Sequence, residues 1–438
     1  MIPNLSNYWL KNAQIPACLL SNVVIEQTPN REGLVNIDLE IAEGIITQIV
    51  SSGTLETPDS PFVDLQKKQV WPCFVDVHTH LDKGHIWERT PNPDGTFQSA
   101  LNAVWEDIEN WNSEDIYRRM EFGLKCSYAH GTKAIRTHLD SGGTLGDISW
   151  EVFRTLQKEW SDKLILQAVS LVTLEEYLTP AGEKLADKVA EFGGILGGVA
   201  YMNPEIDRQI ERVFELAKER DLDLDFHADE NGDIDSITLK KVAETALKSE
   251  FSGKIVCGHC CSLAVQPPEQ VKETIALVKQ AGIGVISLPM CNLYLQDRQY
   301  QDNLALSCTP RWRGVTLLHE LKQSGISVAV ASDNCRDPFY HFGDHDGLEV
   351  FKMAVRIAHF DHPFGDWPQT VTRTSADLMG LSKVGRIGVR LPADLIIFKG
   401  RSFSELLSRS QHDRIVLRHG KEIDTTVPEY QELDEIYN

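Results

Sequence analysis

The chain has 438 residues, of which 42% are hydrophobic and 24% charged, and this is the composition of a globular protein rather than of a disordered one. Its formal net charge of −21 argues against a nucleic-acid-binding surface and against docking on anionic lipid. The nine cysteines lack the spacing of a disulfide framework, and no apolar stretch has the length of a membrane span. We therefore expect a cytoplasmic protein with reduced thiols and with neither a nucleic acid nor a membrane as partner.

The two ends of the chain are rich in strand-like patterns. Short apolar stretches alternate with turn residues over residues 16–70. The same pattern recurs at residues 393–398 and 414–418. We predict that residues 1–70 and 385–438 form one composite β-domain, a small β-sandwich built from both chain ends.

The middle of the chain, residues 71–384, alternates strand-like and helix-like patterns. Two helices are expected between residues 97 and 131. Buried-type strands that each precede a helix are typical of a distorted (β/α)8 TIM barrel, an α/β fold with its active site at the carboxyl ends of the strands. The eight strand-like runs are residues 74–78, 134–138, 164–170, 195–201, 222–227, 254–257, 284–288 and 328–332.

Polar side chains with metal-binding chemistry end several of these strands. His78 and His80 stand at positions i and i+2 of the first strand, so their side chains point the same way. His227 ends the fifth strand and Asp333 ends the eighth. Three imidazoles and a carboxylate suit Zn²⁺ or Fe²⁺. The fourth strand lacks the lysine that bridges the ions of two-metal barrels, which predicts one divalent ion.

Such an ion lowers the pKa of bound water to about 7 and so supplies hydroxide at neutral pH. We expect His259, at the end of the sixth strand, to abstract a proton or to polarise the attacked group, and Asp333 to pass the proton of water to a leaving amine. Glu230 lies three residues after His227. It is either a proton donor to a ring nitrogen or a solvated acid in an acidic loop, and the spacing favours neither.

Three other features have weaker patterns. Cys257 and Cys260 fit Cys-x-x-Cys, but no second pair follows at zinc-finger spacing. His138 ends the second strand and is either structural or a support for the ligands. His341, beyond the eighth strand, could reach the pocket.

The ordered motifs of the chain resemble those of the amidohydrolase superfamily and, within it, cytosine deaminase. The resemblance implies a distorted barrel with a β-domain from both termini and a mononuclear iron or zinc site. It also implies that Glu230 and His259 act as proton shuttles. The matching stretches are His78-Thr-His80-Leu-Asp82, Arg136-Thr-His138, His227-Ala-Asp-Glu230, Gly258-His259, Asn292-Leu-Tyr-Leu-Gln296-Asp-Arg298, Arg313-Gly314, Ser332-Asp333, and Gly385-Arg-Ile-Gly388 followed by Ala393-Asp394-Leu-Ile-Ile.

The departures from cytosine deaminase concern the substrate. Thr173 lies in the stretch where that family carries a glutamine, Asn334 replaces a second aspartate, and Phe339 replaces a tryptophan. Residues 331–337 look instead like the N-isopropylammelide amidohydrolases, which lack the glutamate found here at position 230. We predict substrate contacts for five residues: Leu81, Thr173, Gln296, Asn334 and Phe339.

The leading hypothesis is a metal-dependent hydrolytic deaminase acting on a cytosine-like amino-substituted N-heterocycle, in which hydroxide attacks the ring carbon and ammonia leaves. The first alternative, motivated by Asn334 and Arg336, is cleavage of an N-alkyl amine or cyclic amide of triazine type. The second is a non-catalytic barrel homologue. The partners expected are a small heterocyclic substrate and further copies of the chain in a homo-oligomer.

Overall fold

The computed structural model describes residues 2–3, 5–54, 60–298 and 308–437. Strands and α-helices are numbered here in chain order. The strands are β1 (Asn7–Pro16), β2 (Leu34–Ala42), β3 (Ile45–Ser51), β4 (Phe62–Asp64), β5 (Val70–Pro72), β6 (Phe74–Thr79), β7 (Thr132–Asp140), β8 (Ile165–Leu171), β9 (Leu196–Ala200), β10 (Leu224–Ala228), β11 (Ile255–His259), β12 (Gly284–Ser287), β13 (Val328–Val330), β14 (Leu395–Ile397), β15 (Ile415–Arg418) and β16 (Lys421–Glu422).

The helices are mostly amphipathic and follow the strands of the middle region. The α-helices are α1 (Phe97–Asp107), α2 (Ser113–His130), α3 (Gly143–Glu159), α4 (Pro180–Glu191), α5 (Ile206–Arg220), α6 (Thr238–Lys248), α7 (Pro268–Gln280), α8 (Pro289–Leu295), α9 (Leu318–Gln323), α10 (Gly347–Ala358), α11 (Arg373–Leu378), α12 (Phe403–Ser408) and α13 (Asp434–Tyr437). Short 3-10 helices span Ala17–Leu19, Ile108–Asn110, Leu174–Leu178, Cys261–Ala264, Trp367–Val371 and Tyr430–Leu433.

The eight strand-like runs of the sequence coincide with β6 to β13, and α1 and α2 are the two helices expected between the first two of these strands. The α/β alternation is therefore confirmed. Strands β9 to β13 form a sheet in sequential order with parallel pairing, and β6, β7 and β8 form a second sheet. Isolated parallel bridges join Val169 to Ile195 and Thr79 to Asp333, at the two places where the sheets approach.

Burial explains why these segments read as apolar runs. Every residue of β6, β10 and β11 is buried, as in strands covered on both faces. The helix α5 buries Ile210, Val213, Phe214 and Ala217, which recur at the spacing of one helical face. It ends at Asp221, whose left-handed backbone (φ 54°) stops the helix.

The chain divides into two compact units. One comprises Val77–Leu124, Ile135–His345 and Glu429–Asn438, and the other comprises Met1–Asp76, Lys125–Ala134 and Asp346–Pro428. The predicted domain ranges, 1–70 with 385–438 and 71–384, stay predictions. Residues 429–438 group with the unit that contains Val77–Leu124 rather than with the unit that contains Met1–Asp76.

The unit that comprises Met1–Asp76, Lys125–Ala134 and Asp346–Pro428 holds two four-stranded sheets, ordered β3-β2-β1-β4 and β16-β15-β14-β5. One hydrophobic core joins them. Leu10 and Leu39 enter it from the first sheet, and Val70, Leu395 and Leu417 enter it from the second. Among the helices described, none combines the length and apolarity that a membrane crossing requires.

Candidate metal and catalytic site

Four polar side chains, called here the ligand cluster (His78, His80, His227 and Asp333), meet at the carboxyl ends of the strands. The Nε2 atom of His227 lies 3.2 Å from that of His78 and 3.3 Å from that of His80. Asp333 Oδ1 lies 3.2 Å from His80 Nε2 and 3.5 Å from His78 Nε2. Donor atoms on one tetrahedral zinc are roughly 3.3 Å apart, so the spacing and the donor types fit a single ion.

The histidines of the ligand cluster are in the protonation state that metal binding needs. Burial, reinforced by neighbouring cationic groups, lowers the pKa of His78, His80 and His227 well below the usual value. A neutral imidazole keeps a lone pair on one of its two ring nitrogens, which is then available to bind a metal. Within the described residues, the Nδ1 atoms of these histidines have no hydrogen-bond partner.

Backbone hydrogen bonds tie the ligand cluster together. The Asp333 amide donates to the His78 carbonyl over 2.9 Å, and the Thr79 hydroxyl donates to the Asp333 carbonyl over 2.7 Å. Asp333 and His259 both have left-handed backbone, with φ of 63° and 67°. Non-glycine residues adopt this conformation rarely, and here it occurs where the chain leaves β13 and β11.

Glu230 and His259 lie beside the ligand cluster and contact each other. Glu230 Oε1 is 3.2 Å from His259 Nδ1. The Asn292 side-chain amide donates to Glu230 Oε1 over 3.2 Å and lies 3.0 Å from His259 Nδ1. Burial, helped by the Asp333 carboxylate, raises the pKa of Glu230 well above its usual range, whereas burial lowers the pKa of His259 to about 3. The pair therefore combines a protonated acid with a neutral base.

These groups line a cavity of about 690 Å³, within the size range of small-molecule sites. His80, His227, Glu230, His259 and Asp333 supply its polar side. The remaining surface is largely apolar, as expected of a site that binds the faces of a flat ring. Its aromatic and larger aliphatic members are Phe97, Leu101, Val104, Trp105, Ile108, Leu145, Leu171, Tyr201 and Phe339.

The model of the Amidohydrolase family matches residues 98–423, which is more than half of the chain. The chain belongs to the amidohydrolase family. The superfamily resemblance of the sequence motifs is thereby confirmed.

Relatives of this amidohydrolase act on C–N bonds according to their names. A pterin deaminase of Rhizobium rhizogenes (strain K84 / ATCC BAA-868) is 49% identical over 436 residues, covering 99% of this chain and 98% of that protein. An N-isopropylammelide isopropyl amidohydrolase of Pseudomonas sp. (strain ADP) is 25% identical over 354 residues, covering 78% and 82%.

Solved structures show the same fold. The 5-methylcytosine deaminase of Klebsiella pneumoniae, liganded with 5-fluorocytosine, superposes with a TM-score of 0.80 at 24% identity, over 95% of this chain and 97% of that one. The N-isopropylammelide isopropylaminohydrolase of Burkholderia multivorans ATCC 17616 reaches 0.73 at 17% identity, over 96% and 98%.

The predicted substrate residues of this amidohydrolase are only partly brought together. Thr173, Asn334 and Phe339 line the cavity. Gln296 lines a smaller adjoining cavity of about 220 Å³, and its amide donates to the Glu230 carbonyl over 3.2 Å. Leu81 is not among the lining residues of either cavity. Its side chain packs against Gly123 of α2.

Other sequence candidates lie outside the cavity lining. The His138 ring lies tilted by 33° against that of His78 with centroids 3.9 Å apart, which places it next to the ligand cluster. His341 Nδ1 lies 3.0 Å from the Tyr294 hydroxyl, and His341 is not a lining residue. Arg336 is directed elsewhere, since its guanidinium contacts Glu88 at 2.8 Å.

Two polar residues of the site carried no assignment from the sequence. Lys83 lines the cavity with Nζ 3.1 Å from Asp140 Oδ1 and 5.5 Å from the Phe339 ring centroid. Asn292 orients both Glu230 and His259. Lys83 directly follows the His78–Asp82 motif, and Asn292 begins the Asn292–Arg298 motif. Their position in or next to a family motif is the sequence signal that could have identified them.

Proposed function

We propose that this amidohydrolase is a metal-dependent hydrolytic deaminase of an amino-substituted N-heterocycle. The observation that carries the proposal is the contact between Glu230 and His259 beside the ligand cluster, in the lining of a cavity. The reaction adds water to the ring carbon that bears the amino group and releases ammonia, so a C–O bond replaces a C–N bond. The 49% identity to a pterin deaminase supports this class of reaction.

The ligand cluster would hold the ion, which when bound lowers the pKa of a water molecule to about 7 and supplies a nucleophile at neutral pH. Glu230, protonated because burial raises its pKa, donates its proton to the ring nitrogen next to the attacked carbon. His259 is neutral, and its Nε2 has no hydrogen-bond partner among the described residues, so it can accept a proton from the attacking water. Asp333 would take up the second proton of that water and pass it to the leaving amine, which departs as ammonia, and the proton accepted by His259 returns to Glu230 across their 3.2 Å contact.

Asn292 acts on the same step through position rather than through proton transfer. Its side-chain amide holds Glu230 Oε1 at 3.2 Å and also lies against His259 Nδ1 at 3.0 Å. Because one amide contacts both side chains, it restrains the acid and the base together. Asn292 therefore fixes the geometry of both groups.

We further propose that the substrate is a pterin rather than a single cytosine-like ring. Two observations support this. The relative at 49% identity is a pterin deaminase, and Thr173, Asn334 and Phe339, where the chain departs from the cytosine deaminase pattern, all line the cavity. A pterin carries its amino group on the carbon between two ring nitrogens, and loss of that group leaves a dioxo ring.

The test is ammonia release and the accompanying change in absorbance, measured with zinc- or iron-loaded full-length protein on pterin, cytosine, guanine and ammelide. We expect kcat/KM on pterin to exceed that on cytosine by about 100-fold, because a site that hydrogen-bonds one ring rejects a poorly matching one. Turnover of cytosine in preference to pterin would overturn the substrate assignment. Absence of ammonia from every amino-heterocycle would overturn the deaminase.

A second candidate is the hydrolysis of an N-alkyl amine or cyclic amide. The 25% identity to an N-isopropylammelide amidohydrolase and the position of Asn334 in the cavity favour it. Arg336 does not support it, since its guanidinium contacts Glu88 and stacks over the Tyr430 ring at 4.3 Å. Release of isopropylamine from N-isopropylammelide, with no ammonia from pterin, would decide for this reaction.

Two further features of the structure support the predicted barrel and β-sandwich. The bridges from Val169 to Ile195 and from Thr79 to Asp333 favour closure of the two sheets into a distorted (β/α)8 barrel. The two sheets that share one hydrophobic core favour a β-sandwich for the unit that contains Met1–Asp76. The homo-oligomer and the cytoplasmic location stay predictions.

A further inference from the structure

A second set of metal-ligating side chains lies away from the ligand cluster. This second cluster consists of His85, in the segment after β6, and of Cys335 and His345, in the segment between β13 and α10. All three residues are buried, and their ligand atoms lie within 4.8 Å of one another. None of them belongs to the lining of the 690 Å³ cavity.

His85 is the member whose chemistry most clearly requires a ligand. The residue is only 1% exposed, and within the described chain neither Nδ1 nor Nε2 has a hydrogen-bond partner. A neutral imidazole has one nitrogen that donates and one that accepts, and buried polar atoms are nearly always satisfied. The Phe122 ring, with its centroid 4.8 Å from that of His85, leaves an apolar neighbour rather than a polar one on that side.

The backbone holds the second cluster together in the same way as it holds the ligand cluster. The His85 amide donates to the Cys335 carbonyl over 3.0 Å, and the Tyr437 hydroxyl donates to the His85 carbonyl over 2.8 Å. His85 and His345 both have left-handed backbone, with φ of 61° and 53°. Strained conformations of this kind persist only where surrounding contacts impose them, and they concentrate at binding sites.

We propose that His85, Cys335 and His345 bind a second divalent ion, zinc, with water as the fourth ligand. One thiolate and two imidazoles are a zinc donor set, and four-coordinate geometry allows a water to complete it. On binding, the Cys335 thiol loses its proton to solvent and the sulfur forms a bond to the ion. The ion would fasten the segments that follow β6 and β13, the two strands after which His80 and Asp333 are positioned, without contact with substrate.

The proposed second site does not depend on the deaminase assignment. Substitution with cobalt distinguishes an ion at the second cluster from an ion at the ligand cluster. Full-length protein is stripped of metal with a chelator and reloaded with Co²⁺ alone. We expect two cobalt ions per chain and a thiolate-to-cobalt charge-transfer absorption in the near ultraviolet. His78, His80, His227 and Asp333 provide no sulfur, so cobalt held by them alone cannot produce that absorption.

The variants identify the sulfur. Cys335→Ser is expected to lose the absorption and one cobalt ion per chain while the other ion stays. Cys126→Ser, a buried cysteine of α2 outside both clusters, is expected to retain both ions and the absorption. Cys291→Ser is the sharper control, because Cys291 groups with Glu230 and Asp333. Loss of the absorption in Cys291→Ser, with retention in Cys335→Ser, would overturn the proposal.

If Cys335→Ser does not fold, cobalt binding to the wild-type protein still tests the second site. One cobalt ion per chain with no thiolate absorption overturns the second site, whatever the activity on pterin. Two ions with the absorption, reduced to one ion in His345→Asn, supports it even if no heterocycle is deaminated.

Discussion

Oε1 of Glu230 lies 3.2 Å from Nδ1 of His259, and the Asn292 amide contacts both side chains. An acid, a base and the amide that orients them thus form one unit. Groups that act as a unit have non-additive effects when they are removed, so the loss of either proton carrier should cost nearly as much as the loss of both.

Replacement of the acid should stop proton donation without disturbing the ion. We expect Glu230→Gln to lower kcat by about 10²- to 10⁴-fold, the usual contribution of a positioned general acid. Metal content, measured by elemental analysis, should be unchanged. The matched control is Asp235→Asn, an exposed carboxylate of the same loop, which should retain full activity. A Glu230→Gln enzyme with near wild-type kcat would contradict the assigned role.

Removal of one ligand should abolish both metal binding and turnover. His80 faces Asp333 and His227 at 3.2 and 3.3 Å, so His80→Asn breaks the donor set. We expect the ion of the ligand cluster to be lost on gel filtration and activity not to return when zinc or iron is added. His359→Asn, an exposed histidine after α10, serves as the control. If His80→Asn retained the full metal content of the ligand cluster, the assignment of His80 as a metal ligand would be wrong.

Phe339 should affect substrate binding more than the chemical step. Its ring lines the cavity and packs edge-to-face on Phe97, with centroids 5.5 Å apart. Loss of an aromatic contact of about 1.4 kcal/mol corresponds to a rise in KM of about tenfold in Phe339→Ala, with kcat little changed. Phe342, 54% exposed, provides the comparison, and Phe342→Ala should leave KM unchanged. Equal effects of the two substitutions would exclude a specific role for Phe339.

Asp115 should make the free energy of unfolding depend on pH in the acid range. Burial alone would raise its pKa, but the guanidinium groups of Arg119 and Arg89, at 2.6 and 2.7 Å, lower the pKa below the usual value. The lowered pKa contributes stability above about pH 3.9, the pKa of an unfolded aspartate, and that stability is lost as pH falls through the folded pKa. We expect Asp115→Asn to lose about 3–5 kcal/mol near pH 7, because the buried Arg119 guanidinium loses its carboxylate partner and Arg89 keeps only Asp107.

Denaturant unfolding at a series of pH values measures this effect. The difference between wild type and Asp115→Asn should narrow below about pH 4, where the Asp115 carboxylate of the unfolded chain begins to protonate while that of the folded protein is still ionised. The control is Asp413→Asn, because the Asp413–Lys399 pair is more than half exposed and should contribute less than about 1 kcal/mol. A difference between wild type and Asp115→Asn that is constant from pH 3 to pH 8 would show that its origin is not the ion pair.

The strands and the ligand cluster could be predicted from the sequence because each depends on local patterns. A buried strand is a short apolar run, and His78 and His80 share one side by the alternation of a strand. The spacing of Glu230 favours neither a catalytic nor a solvated role. The side chain that orients Glu230 in the structure is that of Asn292, which lies 62 positions away in the chain and so leaves no local pattern in the sequence.

What could not be predicted arises from segments that meet only in three dimensions. The apolar side of the cavity includes residues of α1 such as Leu101 and Trp105, and an amphipathic helix does not reveal which cavity its apolar face borders. Leu81 is a predicted substrate contact, but its side chain lies against Gly123 of α2 and not in the lining of either cavity. The second cluster joins residue 85 to residues 335 and 345, a separation that no spacing rule covers.

The hydrogen bond from the Asp333 amide to the His78 carbonyl has a consequence for biosynthesis. A ribosome delivers the three imidazoles long before the carboxylate, since His227 precedes Asp333 by more than a hundred residues. A nascent chain that has not yet released β13 therefore offers an incomplete donor set and an unpaired β6 edge. We therefore expect tight binding of an ion by the ligand cluster only after Asp333 has been synthesised and its amide has paired with the His78 carbonyl.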